Sequence, residues 1–263
     1  MSEDQPLLTH IESGIGYLRF NRPAKHNAIT FDMWRGLGET MDRYASDDEV
    51  RVIVLSGEGG KAFSSGADIT QFEEQRTSAN AVEIYNNALD DACRKLTEIA
   101  KPTLAKIQGY CMGGGLATSI CCDLRIASSD STFAIPAAKL GVGYAYGSLR
   151  TLAFLVGPAS AKEIMFTGRR FSASEVRDMG LINRVVDPTE LDTVVMEYTE
   201  TLAANAPLTI TACKRVFAEL AMDPADRDVD ACNQLVDDCF QSDDYKEGRQ
   251  AFLEKRKPDF RGR

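Results

Sequence analysis

Three consecutive glycines at residues 113–115 separate a short apolar run from a segment without charge. Thr103–Ile107 predicts a strand, because Pro102 disfavours a helix that continues through it. Residues 116–122 predict a helix that is buried on every side. Such a unit directs free backbone N–H groups, at the positive end of the helix dipole, toward one point. That point suits an anion or an oxygen that becomes anionic during a reaction. A tight turn needed only for packing is the alternative.

A second glycine-rich loop follows a strong strand signal at residues 51–56. It contains A-F-S-S-G-A-D-I, and further along the chain comes G-Y-C-M-G-G-G. This pair of loops resembles the crotonase superfamily, also called the enoyl-CoA hydratase/isomerase family. The resemblance covers nearly the whole chain. It includes N-R-P-A-K-H-N-A at 21–28, F-T-G-R-R-F-S-A-S-E at 166–175, G-L-I-N-R-V-V at 180–186 and F-L-E-K-R-K-P-D-F near the end.

The resemblance implies an oxyanion hole formed by the backbone N–H groups of Ala67 and Gly114. They would hold the thioester oxygen of an acyl-coenzyme A as it becomes an enolate. Coenzyme A enters as part of the substrate, and no tightly bound cofactor is expected. The family pattern also implies coenzyme contacts at Lys25, His26, Ala28, Ala62, Ser65, Asp68, Ile69 and Lys255. Lys255 would act across a subunit boundary, and for both lysines a solvated surface position is the alternative.

Both acids of the family's hydratases are missing from this chain. Those enzymes carry glutamates where this sequence has Ala117 and Ala137. A hydratase needs groups that activate water and protonate carbon, and alanine can neither accept nor donate a proton. Efficient hydration is therefore not expected.

Decarboxylation fits the remaining groups better, because loss of CO₂ from a malonyl-type thioester creates the enolate without removing a C–H proton. L-G-V-G-Y, ending at Tyr144, is similar to the L-G-V-P-Y element of methylmalonyl-CoA decarboxylase, whose tyrosine faces the substrate. That enzyme has a histidine where this chain has Ala67. Two alternatives stay open: a hydratase or isomerase with a nonstandard acid such as Asp68, and a noncatalytic acyl-CoA-binding protein. The simpler structural interpretations are that Asp68 caps a helix and that Tyr144 only forms a wall of the pocket.

The composition restricts the class of protein and the partners that it can bind. The chain has 263 residues, 44% of them hydrophobic and 26% charged, which is typical of a soluble globular protein. A net charge of −9 disfavours nucleic acid and anionic membranes as partners, so coenzyme A phosphates need a local basic patch. Seven cysteines in largely apolar surroundings indicate buried thiols in a reducing compartment, the cytoplasm. With two histidines, no metal site is expected.

The predicted elements give an α/β (α+β) fold class. We expect a hairpin over residues 7–20, a helix from a cap at Thr30 to about 45, a helix over 79–99, and an irregular loop from 132 to 147. After residue 187 the pattern is helical. The resemblance implies a spiral of ββα units over 1–187, containing the acyl-CoA site. It also implies a helical region over 188–263, within the same domain, that forms homotrimers or homohexamers.

Overall fold

The computed structural model describes residues 5–68, 70 and 79–263. Its strands are β1 (Leu7–Glu12), β2 (Ile15–Phe20), β3 (Val52–Gly57), β4 (Ala62–Ser64), β5 (Thr103–Ile107), β6 (Tyr110–Met112), β7 (Leu124–Ser128), β8 (Thr132–Ala134), β9 (Phe171–Ser172) and β10 (Arg184–Val186). Its α-helices are α1 (Phe31–Ser46), α2 (Ala79–Glu98), α3 (Gly114–Cys121), α4 (Ala137–Leu140), α5 (Tyr146–Thr167), α6 (Ala173–Asp178), α7 (Leu191–Ala204), α8 (Pro207–Leu220), α9 (Val229–Gln241) and α10 (Asp243–Glu254).

The strands within these described ranges form two sheets. The larger has the order β1-β2-β3-β5-β7-β10, and the smaller has the order β4-β6-β8-β9. β1 and β2 form the predicted antiparallel hairpin, whereas β2, β3, β5, β7 and β10 pair in parallel. Their side chains are largely buried, as expected of a parallel sheet that is covered on both faces.

The two sheets are built by one repeated unit. A strand of the larger sheet is followed by a short strand of the smaller sheet and then by a helix, as in β3-β4-α2, β5-β6-α3 and β7-β8-α4. The strands β4, β6 and β8 pair in parallel, so successive units stack in one direction. This arrangement confirms the predicted spiral of ββα units, and α7–α10 confirm the helical C-terminal part.

The main core lies between the sheets and the helices that cover them. Thr30 caps α1, because its side chain accepts a hydrogen bond from the Met33 N–H group as predicted. The buried face of α1 includes Trp34, whose indole N–H donates to the Tyr85 hydroxyl of α2 over 2.9 Å. This contact joins α1 to α2 within the core.

The prediction of a loop over residues 132–147 was wrong in part. This segment contains β8 and α4, and Thr132–Ala134 gains its strand geometry by pairing with β6 on one side and β9 on the other. Gly157 has a φ of +75° and interrupts α5, so two helical pieces meet there. The boundary at residues 187/188 stays a prediction.

All seven cysteines lie within the described residues, and each is a free thiol. Across the same residues, the helices are too short or too polar for any of them to span a bilayer. The C-terminal helices leave large apolar side chains exposed along a groove of about 870 Å³, including Phe217, Phe240 and Phe252.

Candidate active site

The two glycine-rich loops meet at a point where a side chain would not fit. Gly66 has a φ of +103° and Gly113 a φ of +49°, a backbone region that L-residues with side chains rarely adopt. A Cβ on Gly66 would lie 3.2 Å from the nitrogen of Gly114, and a Cβ on Gly114 would lie 3.3 Å from the nitrogen of Ala67. The glycines therefore allow the N–H groups of Ala67 and Gly114 to approach each other closely.

Both of these N–H groups are free to bind a ligand. The neighbouring Ile29 N–H donates to the Gly66 carbonyl over 2.8 Å, and the Asp68 N–H donates to the Ile29 carbonyl over 2.9 Å. Those bonds hold the first loop without using the Ala67 N–H group. Gly114 is the first residue of α3, whose N-terminus has no side-chain cap. Within the described residues neither N–H group has an acceptor, and the helix dipole adds positive potential there.

Asn27 holds the first glycine-rich loop in place through buried hydrogen bonds. It is fully buried, and its amide nitrogen donates to the Ala62 carbonyl over 2.7 Å. Its side-chain oxygen accepts from the Arg22 N–H group over 2.9 Å. The Ser64 hydroxyl donates to the Asn27 carbonyl and accepts from the Gly66 N–H group, over 2.8 and 3.1 Å. These bonds restrain the loop that presents the Ala67 N–H group.

A cavity of about 230 Å³ opens beside the two N–H groups. Ala117 and Ala137 both line it, so the two positions at which hydratases of the family carry glutamates face one space. The remaining wall comes from both loops, from α2 and from the segment between α4 and α5. It includes Gly66, Ala67, Leu89, Gly113, Gly114, Leu140, Val142, Tyr144 and Ala145.

Tyr144 contributes a neutral hydroxyl to this cavity. Burial, and to a smaller extent the nearby Cys93 thiol, raise the pKa of Tyr144 to about 12. The phenol is therefore protonated at neutral pH and can donate a hydrogen bond. It makes no hydrogen bond to the part of the chain that the structure describes. Tyr144 lines the same cavity as Ala137, and its contact with a substrate stays a prediction.

Asp68 is not placed as a proton-transferring acid. Its carboxylate accepts from Arg22 over 2.8 Å and from the Thr70 N–H and hydroxyl groups over 3.1 and 2.7 Å. Burial alone would raise the pKa of Asp68, but the bonds from Thr70 and Arg22 outweigh it and the pKa lies below its ordinary value. Asp68 does not line the cavity either. The interpretation as a local cap fits these contacts.

The residues predicted to contact the coenzyme are spread over several environments. Lys25, His26 and Ser65 are exposed, and the His26 ring packs edge-on against Tyr110. Lys25 lies in a surface groove beside Arg22.

Two further predicted positions offer mainly backbone atoms. The Ala28 carbonyl accepts from Arg22, and Ala62 is buried. Lys255 is exposed at the end of α10 and lies outside the cavity wall. Ile69 lies outside the described residues. All of these coenzyme contacts stay predictions.

Asp90 is an ionisable cavity residue that the sequence did not reveal. It lines the wall from α2, and partial burial of its carboxyl raises the pKa of Asp90. Helical periodicity identifies the apolar face of α2, with Leu89, Ala92 and Leu96. It does not show which of Asp90 and Asp91 lines the cavity, because the local sequence does not specify the elements that pack against α2.

The sequence profile of the family described as enoyl-CoA hydratase/isomerase matches residues 10–263. The short-chain-enoyl-CoA hydratase of Clostridium acetobutylicum is 32% identical over 247 residues, which cover 94% of each chain. The peroxisomal Delta(3,5)-Delta(2,4)-dienoyl-CoA isomerase of Arabidopsis thaliana is 31% identical, over 95% of this chain and 93% of that protein.

The fold agrees with these sequence matches. The crystal structure of an enoyl-CoA hydratase/carnithine racemase from Magnetospirillum magneticum superimposes with a TM-score of 0.91 at 34% identity, covering 98% of this chain and 96% of that one. The match therefore extends through both the strand-rich part and the C-terminal helices. The chain belongs to the enoyl-CoA hydratase/isomerase family.

Proposed function

We propose that this protein binds acyl-coenzyme A thioesters and stabilises their enolates between the N–H groups of Ala67 and Gly114. The observation that carries this proposal is the pair of free, closely spaced backbone donors beside a cavity. One donor of this kind contributes about 2.7–4 kcal/mol to a transition state in which an oxygen gains charge. The hydratase and isomerase among the relatives support acyl-CoA chemistry in general.

We propose decarboxylation as the specific reaction. Ala117 and Ala137 present methyl groups to the cavity, so neither can activate a water molecule. Cleavage of the bond between the α-carbon and a carboxylate leaves its electron pair on the α-carbon and thioester oxygen, where the two N–H groups stabilise it. The neutral Tyr144 hydroxyl can hold the departing carboxylate by donating a hydrogen bond.

Isomerisation of an enoyl thioester is the second candidate. It moves a proton from one carbon to another, and a single carboxyl group can take and return that proton. The carboxyl of Asp90 on the cavity wall is the observation that favours this reaction. Hydration fits less well, because it requires activation of water as well as protonation of carbon.

Mass spectrometry on a panel of malonyl-type, enoyl- and 3-hydroxyacyl-thioesters tests these alternatives. We expect release of CO₂ from a malonyl-type thioester and very weak hydration of crotonyl-CoA. Rapid hydration of crotonyl-CoA would refute the decarboxylase proposal. Saturable binding without turnover of any thioester would instead support a noncatalytic acyl-CoA-binding protein.

Coenzyme recognition and assembly form part of the same proposal. Lys25 in the surface groove, and Lys255 of a neighbouring subunit, would bind the coenzyme phosphates. The exposed apolar groove of the C-terminal helices, with Phe217, Phe240 and Phe252, would be covered in a homotrimer or homohexamer. Weakened acyl-CoA affinity in Lys25→Ala, measured by calorimetry against wild type, would support the phosphate contact, and unchanged affinity would refute it.

A further inference from the structure

One carboxyl group on the cavity wall has no structural role of its own. Of the described residues that line this wall, Asp90 alone carries a carboxyl. Its side chain makes no hydrogen bond or ion pair to any residue that the structure describes. The adjacent Asp91 differs, because it pairs with Arg94 and Lys95 on the same helix over 2.7 and 3.0 Å. Asp91 is thus engaged by basic neighbours, whereas the exposed carboxyl of Asp90 on the cavity wall is available to a ligand.

Asp90 shares its cavity with the positions of the missing glutamates. Ala117, Ala137 and Tyr144 line the same space as Asp90. The helix that carries Asp90, α2, also packs against α3, which carries Ala117. Asp90 therefore faces the cavity that contains Ala117 and Tyr144.

Building on the proposed acyl-CoA function, we propose that Asp90 is the catalytic residue that transfers the proton at the carbon next to the thioester. As a carboxylate, Asp90 takes a proton from this carbon. The electron pair of the C–H bond then forms the C=C bond of the enolate, and the thioester oxygen receives the negative charge. The N–H groups of Ala67 and Gly114 hold that oxygen, and return of the proton to carbon reverses every change.

The same group completes a decarboxylation. Once CO₂ has left, the enolate carbon needs a proton, and the carboxylic acid form of Asp90 supplies it. Solvent then returns a proton to the Asp90 carboxylate. Partial burial raises the pKa of Asp90, which favours this acid form relative to an ordinary aspartate.

The presence of one carboxyl among the described lining residues also limits what the cavity can catalyse. Asp90 can take and return one proton, which suffices for exchange, isomerisation or protonation of an enolate. Ala117 and Ala137 provide no second group to activate water. The placement of Asp90 thus predicts chemistry at the α-carbon without efficient hydration.

Deuterium exchange at the α-carbon tests this role directly. The full-length protein is incubated with butyryl-CoA in D₂O, and deuterium uptake is followed by mass spectrometry. Replacing a general acid–base group typically lowers a rate about 10²- to 10⁴-fold, so Asp90→Asn should lower exchange by that factor. The matched control is Asp91→Asn, which removes the adjacent carboxylate of the same helix and should exchange at the wild-type rate.

Calorimetry with butyryl-CoA separates the possible failures. We expect wild type and both variants to bind butyryl-CoA with the same affinity, because the proposed role of Asp90 is to transfer a proton and not to hold the substrate. Binding with equal exchange in Asp90→Asn and Asp91→Asn would overturn the role of Asp90, as would wild-type binding without exchange. Absence of binding by wild type would refute the proposed function itself, and with it this inference.

Discussion

Gly66→Ala should separate the two N–H donors and abolish most of the activity. A Cβ at this position lies 3.0 Å from the carbonyl oxygen of Met112 and 3.2 Å from the nitrogen of Gly114. These neighbours are backbone atoms, so relief requires the loops to move apart. The positive φ of Gly66 adds a conformational cost of about 1–2 kcal/mol for an L-residue. Removing one oxyanion donor typically slows turnover about 10²- to 10³-fold, and we expect a loss of that size.

Gly157→Ala is the control for this experiment. Gly157 also has a positive φ, +75°, but a Cβ there meets no atom within 4 Å. Urea unfolding should show that both variants lose stability, whereas α-carbon exchange or decarboxylation should fall only in Gly66→Ala. Wild-type turnover by a folded Gly66→Ala variant would show that the reaction does not need the close approach of the two loops.

Tyr144→Phe should raise the activation free energy for conversion of a malonyl-type thioester by about 1.5–3 kcal/mol. Steady-state kinetics should show this slower turnover, while the affinity for acetyl-CoA should stay unchanged. Asp68→Asn should lower the unfolding free energy by about 1.5–3 kcal/mol at neutral pH by breaking the bond to Arg22. Because the pKa of Asp68 is lowered in the folded state, Asp68 contributes to the free energy of unfolding above its unfolded pKa of about 3.9, and this contribution is lost as pH falls. Urea unfolding should therefore show that the stability difference between Asp68→Asn and wild type becomes smaller at acid pH. Light scattering should give a trimer or hexamer, and the mass of one 28.8 kDa chain at micromolar concentration would contradict that assembly.

Local chemistry made much of the fold predictable. Thr30 caps α1, and Ser172 with Glu175 forms a complete capping box at the start of α6. The glycine turn before α3 is equally local, because it depends on backbone conformations that glycine adopts readily. In these segments the sequence supplies the cause of the structure within a few residues.

Other features depend on partners that are distant in sequence. β8 has three residues and is stabilised by pairing with β6 and β9, so its own sequence carries a weak signal. The role of Asp90 depends on α2 lying beside α3 and the segment that contains Tyr144. The loss of acid–base groups at Ala117 and Ala137 was visible in the sequence, but the carboxyl that shares their cavity required the structure.

The proposed function depends on polarisation of the thioester carbonyl by the N–H groups of Ala67 and Gly114, and infrared difference spectroscopy measures this polarisation. Butyryl-CoA labelled with ¹³C at the thioester carbonyl is added to wild type and to Gly66→Ala. Two hydrogen bonds from the backbone should lower the carbonyl stretching frequency of the wild-type complex relative to free butyryl-CoA, and the variant should lose most of this shift. An unshifted carbonyl band in fully bound wild type would contradict the oxyanion hole.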